Sequence, residues 1–308
     1  MNTVLKITNV SKRYKNHLVL NKVNMTINKG DIYGFVGENG SGKTTIIRAI
    51  TGLIFPFEGE IELFGVNSKN KDILKVRKKI GAIVETPSIY ANMSAKENLR
   101  TQSIILNIND ENKIKEALSY VGLDYMYDEK KHAGDFSLGM RQRLGIAMAL
   151  LSDPEFIILD EPMNGLDPAG IVEIRELILK LNQEKNITFL ISSHILSELS
   201  LIATKYGIIS KGQIIKEISN DELQHECRKY ISISAEDNNK LHDVLIKNIN
   251  NNDVLITSSS IRVYGDYNIN ELFKLFIEND VTITSIKTVI TGIEEYYLNL
   301  ISGGRYND

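Results

Sequence analysis

The segment Gly37-Glu38-Asn39-Gly40-Ser41-Gly42-Lys43-Thr44 constrains this chain more than any other, because it fits G-x-x-x-x-G-K-[ST]. An apolar strand, Asp31-Ile32-Tyr33-Gly34-Phe35-Val36, runs into it, and a helical stretch from Thr44 to Ile50, stopped by Gly52, follows. Glycines let successive backbone N–H groups turn inward as an anion nest, and the following helix points its positive end at the same spot. Lys43 adds a point charge suited to β and γ phosphates, and the Thr44 hydroxyl can ligate Mg²⁺. The local order strand, loop, helix therefore predicts a phosphate-binding turn on a parallel sheet.

Three further segments fit that chemistry less specifically. Phe156-Ile157-Ile158-Leu159-Asp160-Glu161 is an apolar strand ending in two acids, which places carboxylates at the edge where open α/β sheets bind ligands. Asp160 can hold Mg²⁺ through water, and Glu161 can orient or deprotonate an attacking water. Many strands end in acids at a loop, so the pair gains its meaning from the phosphate loop. The strand over 187–192 ends in Ser192-Ser193-His194, where His194 is placed to reach a γ-phosphate or to serve a structural role. Ser137-Leu138-Gly139-Met140 opens a helix carrying Arg141 and Arg143; Ser137 is its N-cap, and the segment reads equally as an anion-friendly helix start or a capped core helix.

Composition narrows the partners. Lys and Arg number 36 against 39 Asp and Glu, a net charge of −3, so no global basic field exists to hold a nucleic acid. The longest apolar run, Ile146–Leu151, is far shorter than the roughly 18 residues of a membrane span. The first residues, MNTVLKITNVSKRY, have no apolar h-region, and no signal peptide is expected. Cys227 is the only cysteine, which excludes an intrachain disulfide and a cysteine-based zinc cluster.

The alternation of strands and helices to residue 217 predicts an α/β domain with a parallel sheet. It includes short strands at Leu5–Thr8 and Val23–Ile27, a strand at 60–65, helical pattern over 94–120 with Ser94 and Asp110 as N-caps, and helices over 137–151, 170–184 and 195–203. Apolar periodicity lapses over 218–228, placing a boundary there, with domains at 1–218 and 219–308. The tail reads strand 229–234, helix 238–249, strands 253–257 and 260–264, helix 269–278, strand 281–287 and helix 292–301. That is the β-α-β-β-α-β order of a small α+β, ferredoxin-like module with one added helix. Its simplest role is support of the dimer or of the main domain, with ligand sensing as the alternative; His225 and Cys227 lie close together but do not make a metal site.

Taken in order, these motifs resemble the nucleotide-binding subunits of ABC transporters. The resemblance runs over residues 4–217: Walker A at Gly37–Thr45, a signature at Phe136–Met140, Walker B at Phe156–Glu161, a D-loop at Asn164-Gly165-Leu166-Asp167, and His194 as the switch histidine. It implies a P-loop ATPase core with an antiparallel β subdomain and a helical subdomain over about 86–150, with ATP and Mg²⁺ as cofactors. Tyr14 matches the aromatic that stacks on adenine, and the alternative for it is an ordinary surface tyrosine. The nucleotide is expected at Gly37, Glu38, Asn39, Gly40, Ser41, Gly42, Lys43, Thr44, Thr45 and Asp167. Ser137 and Gly139 are expected to meet the γ-phosphate of a second copy in a head-to-tail dimer, and Lys43, Glu161 and His194 to act in catalysis. Thr44, Asp160 and Glu85 are the expected metal ligands.

Two departures narrow the subfamily. The usual Leu-Ser-Gly-Gly-Gln is Phe136-Ser137-Leu138-Gly139-Met140, and the usual Q-loop glutamine is replaced by Glu85 after Ile80-Gly81-Ala82-Ile83-Val84. Both look like the bacitracin-export and lantibiotic-immunity type, and Gly292-Ile293-Glu294-Glu295-Tyr296-Tyr297-Leu298 resembles the ending of drug-exporting relatives. The resemblance thus implies an ATPase driving export of a peptide antibiotic or drug through a separate membrane permease, at the cytoplasmic face of the membrane. Movement would pass through the Glu85–Asn92 loop. The competing class is an ABC ATPase acting on ribosomes or DNA. Ribosome-acting members usually join two cassettes, and this chain has one; DNA-repair members insert long coiled coils, and Lys43 to Asp160 shows no sustained heptads.

Overall fold

The computed structural model describes residues 3–56, 58–227, 229–250, 253–257, 260–265, 267–289 and 292–301. It divides into two compact units, Met1–Asn220 and Asp221–Asp308.

In the first unit, β1 (Thr3–Tyr14) and β2 (His17–Asn28) form a long hairpin. With β3 (Ile32–Val36), β4 (Glu58–Leu63) and β5 (Val66–Asn67) counted in chain order, the antiparallel sheet runs β2-β1-β4-β5. β1 and β2 are much longer than the apolar alternation predicts. Asn9 and Lys22 adopt left-handed backbone (φ 50 for both), and the register shifts between Ile7 and Val10. Such bulges break the two-residue period that marks a strand in sequence.

The second sheet carries the site. It adds β6 (Ile80–Ile83), β7 (Phe156–Asp160), β8 (Thr188–Ser193), β9 (Lys205–Ser210) and β10 (Gln213–Ser219), in the order β10-β9-β3-β8-β7-β6. All neighbours pair in parallel except β10 on the edge. Every residue of β3, β7 and β8 is buried, which explains why they read as continuous apolar runs rather than alternating ones. Parallel pairing sends the carboxyl ends of β3, β8 and β7 to one edge, side by side.

Helix α1 (Lys43–Thr51) leaves β3 through the glycine turn and buries Ile46, Ile47 and Ile50. Gly52 ends it in left-handed backbone (φ 83). After the short α2 (Ile73–Arg77), helices α3 (Ala95–Ile105), α4 (Glu111–Tyr120) and α5 (Leu138–Leu150) form the helical part. Ser94 caps α3 with Glu97 reaching back to the Ser94 amide, a capping box, and Asp110 caps α4. α6 (Pro168–Lys185) begins at Asp167, whose side chain accepts from the Gly170 amide.

The helix expected over 195–203 is only α7 (Leu196–Leu199). The chain must turn there so that the Thr204 amide can donate to the Ile32 carbonyl, and the Ser200 hydroxyl donates to the Ser197 carbonyl. Where periodicity lapses, α8 (Asn220–Glu226) forms; it buries only Leu223, too little to give an apolar period.

The second unit continues as β11 (Tyr230–Ala235), α9 (Asn238–Asn248), β12 (Val254–Ile256), β13 (Ile261–Tyr264), α10 (Ile269–Glu278), β14 (Ile283–Val289) and α11 (Ile293–Ile301). Its antiparallel sheet runs β12-β13-β11-β14. Ile231, Ile233, Ile261 and Val263 face Leu241, Leu245, Leu272 and Phe276 in one core.

Cys227, at the end of α8, is half-buried, and burial followed by the nearby Glu226 charge pushes its thiol from 9.0 up to about 11. At pH 8 this leaves about 100-fold less thiolate than an unperturbed thiol, partly offset by the greater nucleophilicity of a more basic thiolate, so iodoacetamide should alkylate folded Cys227 about 10-fold more slowly than the same residue in urea. Timed mass spectrometry of both forms checks this, and equal rates would contradict the burial.

Candidate functional site

The turn between β3 and α1 is held open by its glycines. Gly40 (φ 80) and Gly42 (φ 112) lie in backbone that side chains rarely adopt. A Cβ on Gly37 would come within 2.5 Å of the Ile209 carbonyl oxygen and 2.6 Å of Ser41 Oγ. The Ser41 hydroxyl is buried with no hydrogen-bond partner. A buried hydroxyl without a partner carries a desolvation cost that a bound acceptor removes. Together with the inward turn of the loop, it fits phosphate oxygen.

Side chains from three places converge beside this turn. Lys43, 6% exposed, donates to the Gly37 carbonyl (2.7 Å) and the Glu38 carbonyl (3.3 Å), and lies 3.2 Å from Glu161 Oε1. The Thr44 hydroxyl donates to Asp160 Oδ2 at 2.9 Å, joining the first turn of α1 to the end of β7. Two hard oxygens of this kind, one a carboxylate, are the donor set that magnesium prefers. From the end of β8, the Ser192 hydroxyl donates to Asp160 Oδ1 (2.5 Å) and accepts from the Glu161 amide (2.9 Å). His194 Nδ1 lies 2.8 Å from Glu161 Oε2. Facing a carboxylate, this nitrogen carries the hydrogen. Glu161 itself has left-handed backbone, φ 51.

The structure therefore brings Lys43, Thr44, Asp160, Glu161 and His194 into one connected group beside Gly37–Gly42. Other expected residues stand apart from it. Glu38, Asn39 and Gly40 are exposed at the turn, and Thr45 is half-buried on α1. Tyr14 ends β1, 44% exposed, with the Lys12 ammonium 5.3 Å from its ring. Ser137 caps α5 by accepting from the Met140 amide (3.2 Å), and Asp167 caps α6. A Cβ on Gly139 would lie 3.8 Å from Leu166, so the start of α5 adjoins the segment before α6. Glu85 does not join Thr44 or Asp160: its carboxylate takes Arg48 Nη2 at 2.6 Å.

Two residues in this network were not singled out from sequence as site residues. Ser192 ties Asp160 to the Glu161 backbone across two strands, and the only hint was its place beside His194 at a strand end. Arg48 could be found from its position four residues after Thr44, on the same helix face.

A family model described as "ABC transporter" matches residues 20–164. The chain is 45% identical to the bacitracin transport ATP-binding protein BcrA of Bacillus licheniformis, covering 99% of each. It is 44% identical to the lantibiotic transport ATP-binding protein SrtF of Streptococcus pyogenes over 71% of this chain and 92% of that one. It also resembles the dimeric post-hydrolysis structure of the ATP-binding cassette MJ0796 bound to ADP and Pi, at 26% identity and a TM-score of 0.63, covering 70% of this chain and 98% of that chain. The chain belongs to the ATP-binding subunits of ABC transporters. It is an ATPase of that family, built on the cassette fold with its antiparallel β subdomain and helices.

Proposed function

We propose that this chain powers export of a peptide antibiotic of the bacitracin or lantibiotic kind, as a head-to-tail dimer beneath a separate membrane permease at the cytoplasmic face. The observation that carries this reading is its likeness to a bacitracin transport ATP-binding protein over 99% of both chains, tail included. Among the described residues no helix is long and apolar enough to cross a membrane, so the reading assigns the transport path to another polypeptide. A cleft of about 310 Å³ lined by Ile83, Thr86, Pro87, Gln102, Leu106 and Met148 supports docking of that partner beside the 85–92 loop.

Gly37 to Thr45 would hold the phosphates, with Tyr14 on the adenine and Asp167 nearby. Ser137 and Gly139 would complete the site of the second copy. Thr44 and Asp160 would hold magnesium, which when bound neutralises charge on the β and γ phosphates. Glu161, aligned by His194 and by Ser192 at its amide, would orient the attacking water and accept its proton. Lys43 would exchange its present carbonyl partners for phosphate oxygen.

The strand order β12-β13-β11-β14 and the β-α-β-β-α-β sequence support a ferredoxin-like accessory module over 219–308, after a nucleotide-binding domain over 1–218.

A tagged pull-down from detergent-solubilised native membranes tests the proposal. Recovery of one or two polytopic membrane proteins is expected. Recovery of ribosomes or nucleic-acid proteins instead would leave the ATPase and overturn the exporter.

A further inference from the structure

Helix α1 has a second charged contact that the site chemistry has not used. Arg48 lies four residues after Thr44, so both side chains project from one face of α1, one turn and about 6 Å of rise apart. Above, the Thr44 hydroxyl is bonded to Asp160. Below, the Arg48 guanidinium holds Glu85 Oε1 at 2.6 Å. Glu85 enters this contact from left-handed backbone, φ 64, a conformation that a non-glycine residue adopts at a cost. The strained turn directs its carboxylate to the guanidinium.

A carboxylate near a triphosphate is repelled unless a cation stands between them. Two cations would meet it along α1: the fixed Arg48, which it already touches, and a metal ion that Thr44 and Asp160 would hold one helical turn away on the same face. The Arg48–Glu85 pair is open to water, with side chains 41% and 57% exposed, and an ion pair of this kind is weak. A hard divalent ion, which prefers carboxylate oxygen, can win such a competition.

We propose that Arg48 is the positioning residue of Glu85: it keeps the carboxylate on the lower face of α1 in the nucleotide-free chain, and magnesium bound with ATP competes with Arg48 for it. The inference rests on the ATP-site reading above. Arg48 thereby makes a glutamate tolerable at the position of the usual Q-loop glutamine, and it sets how strongly magnesium tightens nucleotide binding.

The test measures binding of a fluorescent ATP analogue, with magnesium and with EDTA, to four chains in a Glu161→Gln background that does not turn over: the parent, Arg48→Ala, Glu85→Gln, and the double variant. ATP carries more negative charge without magnesium than with it, so the Glu85→Gln background measures the general effect of Arg48 on that charge. Arg48→Ala should raise that ratio about two- to fivefold, the range an exposed ion pair supplies. In the Glu85→Gln background the same substitution should change the ratio clearly less. An unchanged ratio in Arg48→Ala, or an equal change in both backgrounds, overturns the proposal while leaving the ATP site intact. Failure of the parent to bind the analogue under either condition overturns the ATP-site reading and this inference with it. Coincident thermal melting curves for the four chains exclude a folding defect.

Discussion

Glu161→Gln should lower ATP turnover by 10² to 10⁴, about the contribution of a positioned general base, while ATP binding is retained. The substitution keeps the shape of the side chain, so the hydrogen bond from the 161 amide to the Ser192 hydroxyl oxygen and the fit beside His194 both persist. It removes the negative charge that now lies 3.2 Å from Lys43. Lys43 is then freer to meet a phosphate, so the dimer proposed above should accumulate with ATP bound instead of cycling. Size-exclusion chromatography with ATP, beside a phosphate-release assay, checks both halves; turnover at the unsubstituted rate would remove Glu161 from the reaction.

Lys43→Ala should act at the preceding step, weakening ATP binding about 10- to 100-fold, the worth of one or two hydrogen bonds to a charged group. The ammonium is buried and held by the Gly37 and Glu38 carbonyls, so it is already aimed at the turn where the phosphates would lie. Its loss also leaves Glu161 with His194 as its remaining side-chain partner in this group. Isothermal titration with ATP should show the loss of affinity in Lys43→Ala and not in Glu161→Gln. If both variants bind ATP like the parent, the cluster at Gly37–Thr44 is not the phosphate site.

The two experiments separate binding from chemistry because the sheet separates the groups: Lys43 follows β3, Glu161 follows β7, and β8 with His194 lies between them. That layout was legible in sequence to an unusual degree. β3, β7 and β8 are buried on both faces and each ends in a polar cluster, so the apolar run and the chemistry mark the same position. Ser94 and Asp110 announced their helices because capping acts within three residues. What escaped was set by distant partners. Ser192 gains its role from Asp160, 32 residues away, and Glu85 is claimed by Arg48, 37 residues away. The length of the β1–β2 hairpin was hidden by bulges that interrupt alternation, and α8 by having a single buried side chain.

The left-handed backbone of Glu161 and the buried, unpartnered hydroxyl of Ser41 carry a further consequence, for how this protein responds to selection. Each holds the resting chain above the energy it could reach: glycine at 161 would relax the turn, and an apolar side chain at 41 would make no unmet demand for a hydrogen bond. A library screened for heat resistance alone would therefore be drawn toward these two positions and would discard ATP hydrolysis in the process. Thermostable forms that still work have to draw their gains from elsewhere, such as the exposed faces of the helices, and leave the strain beside the phosphate turn in place.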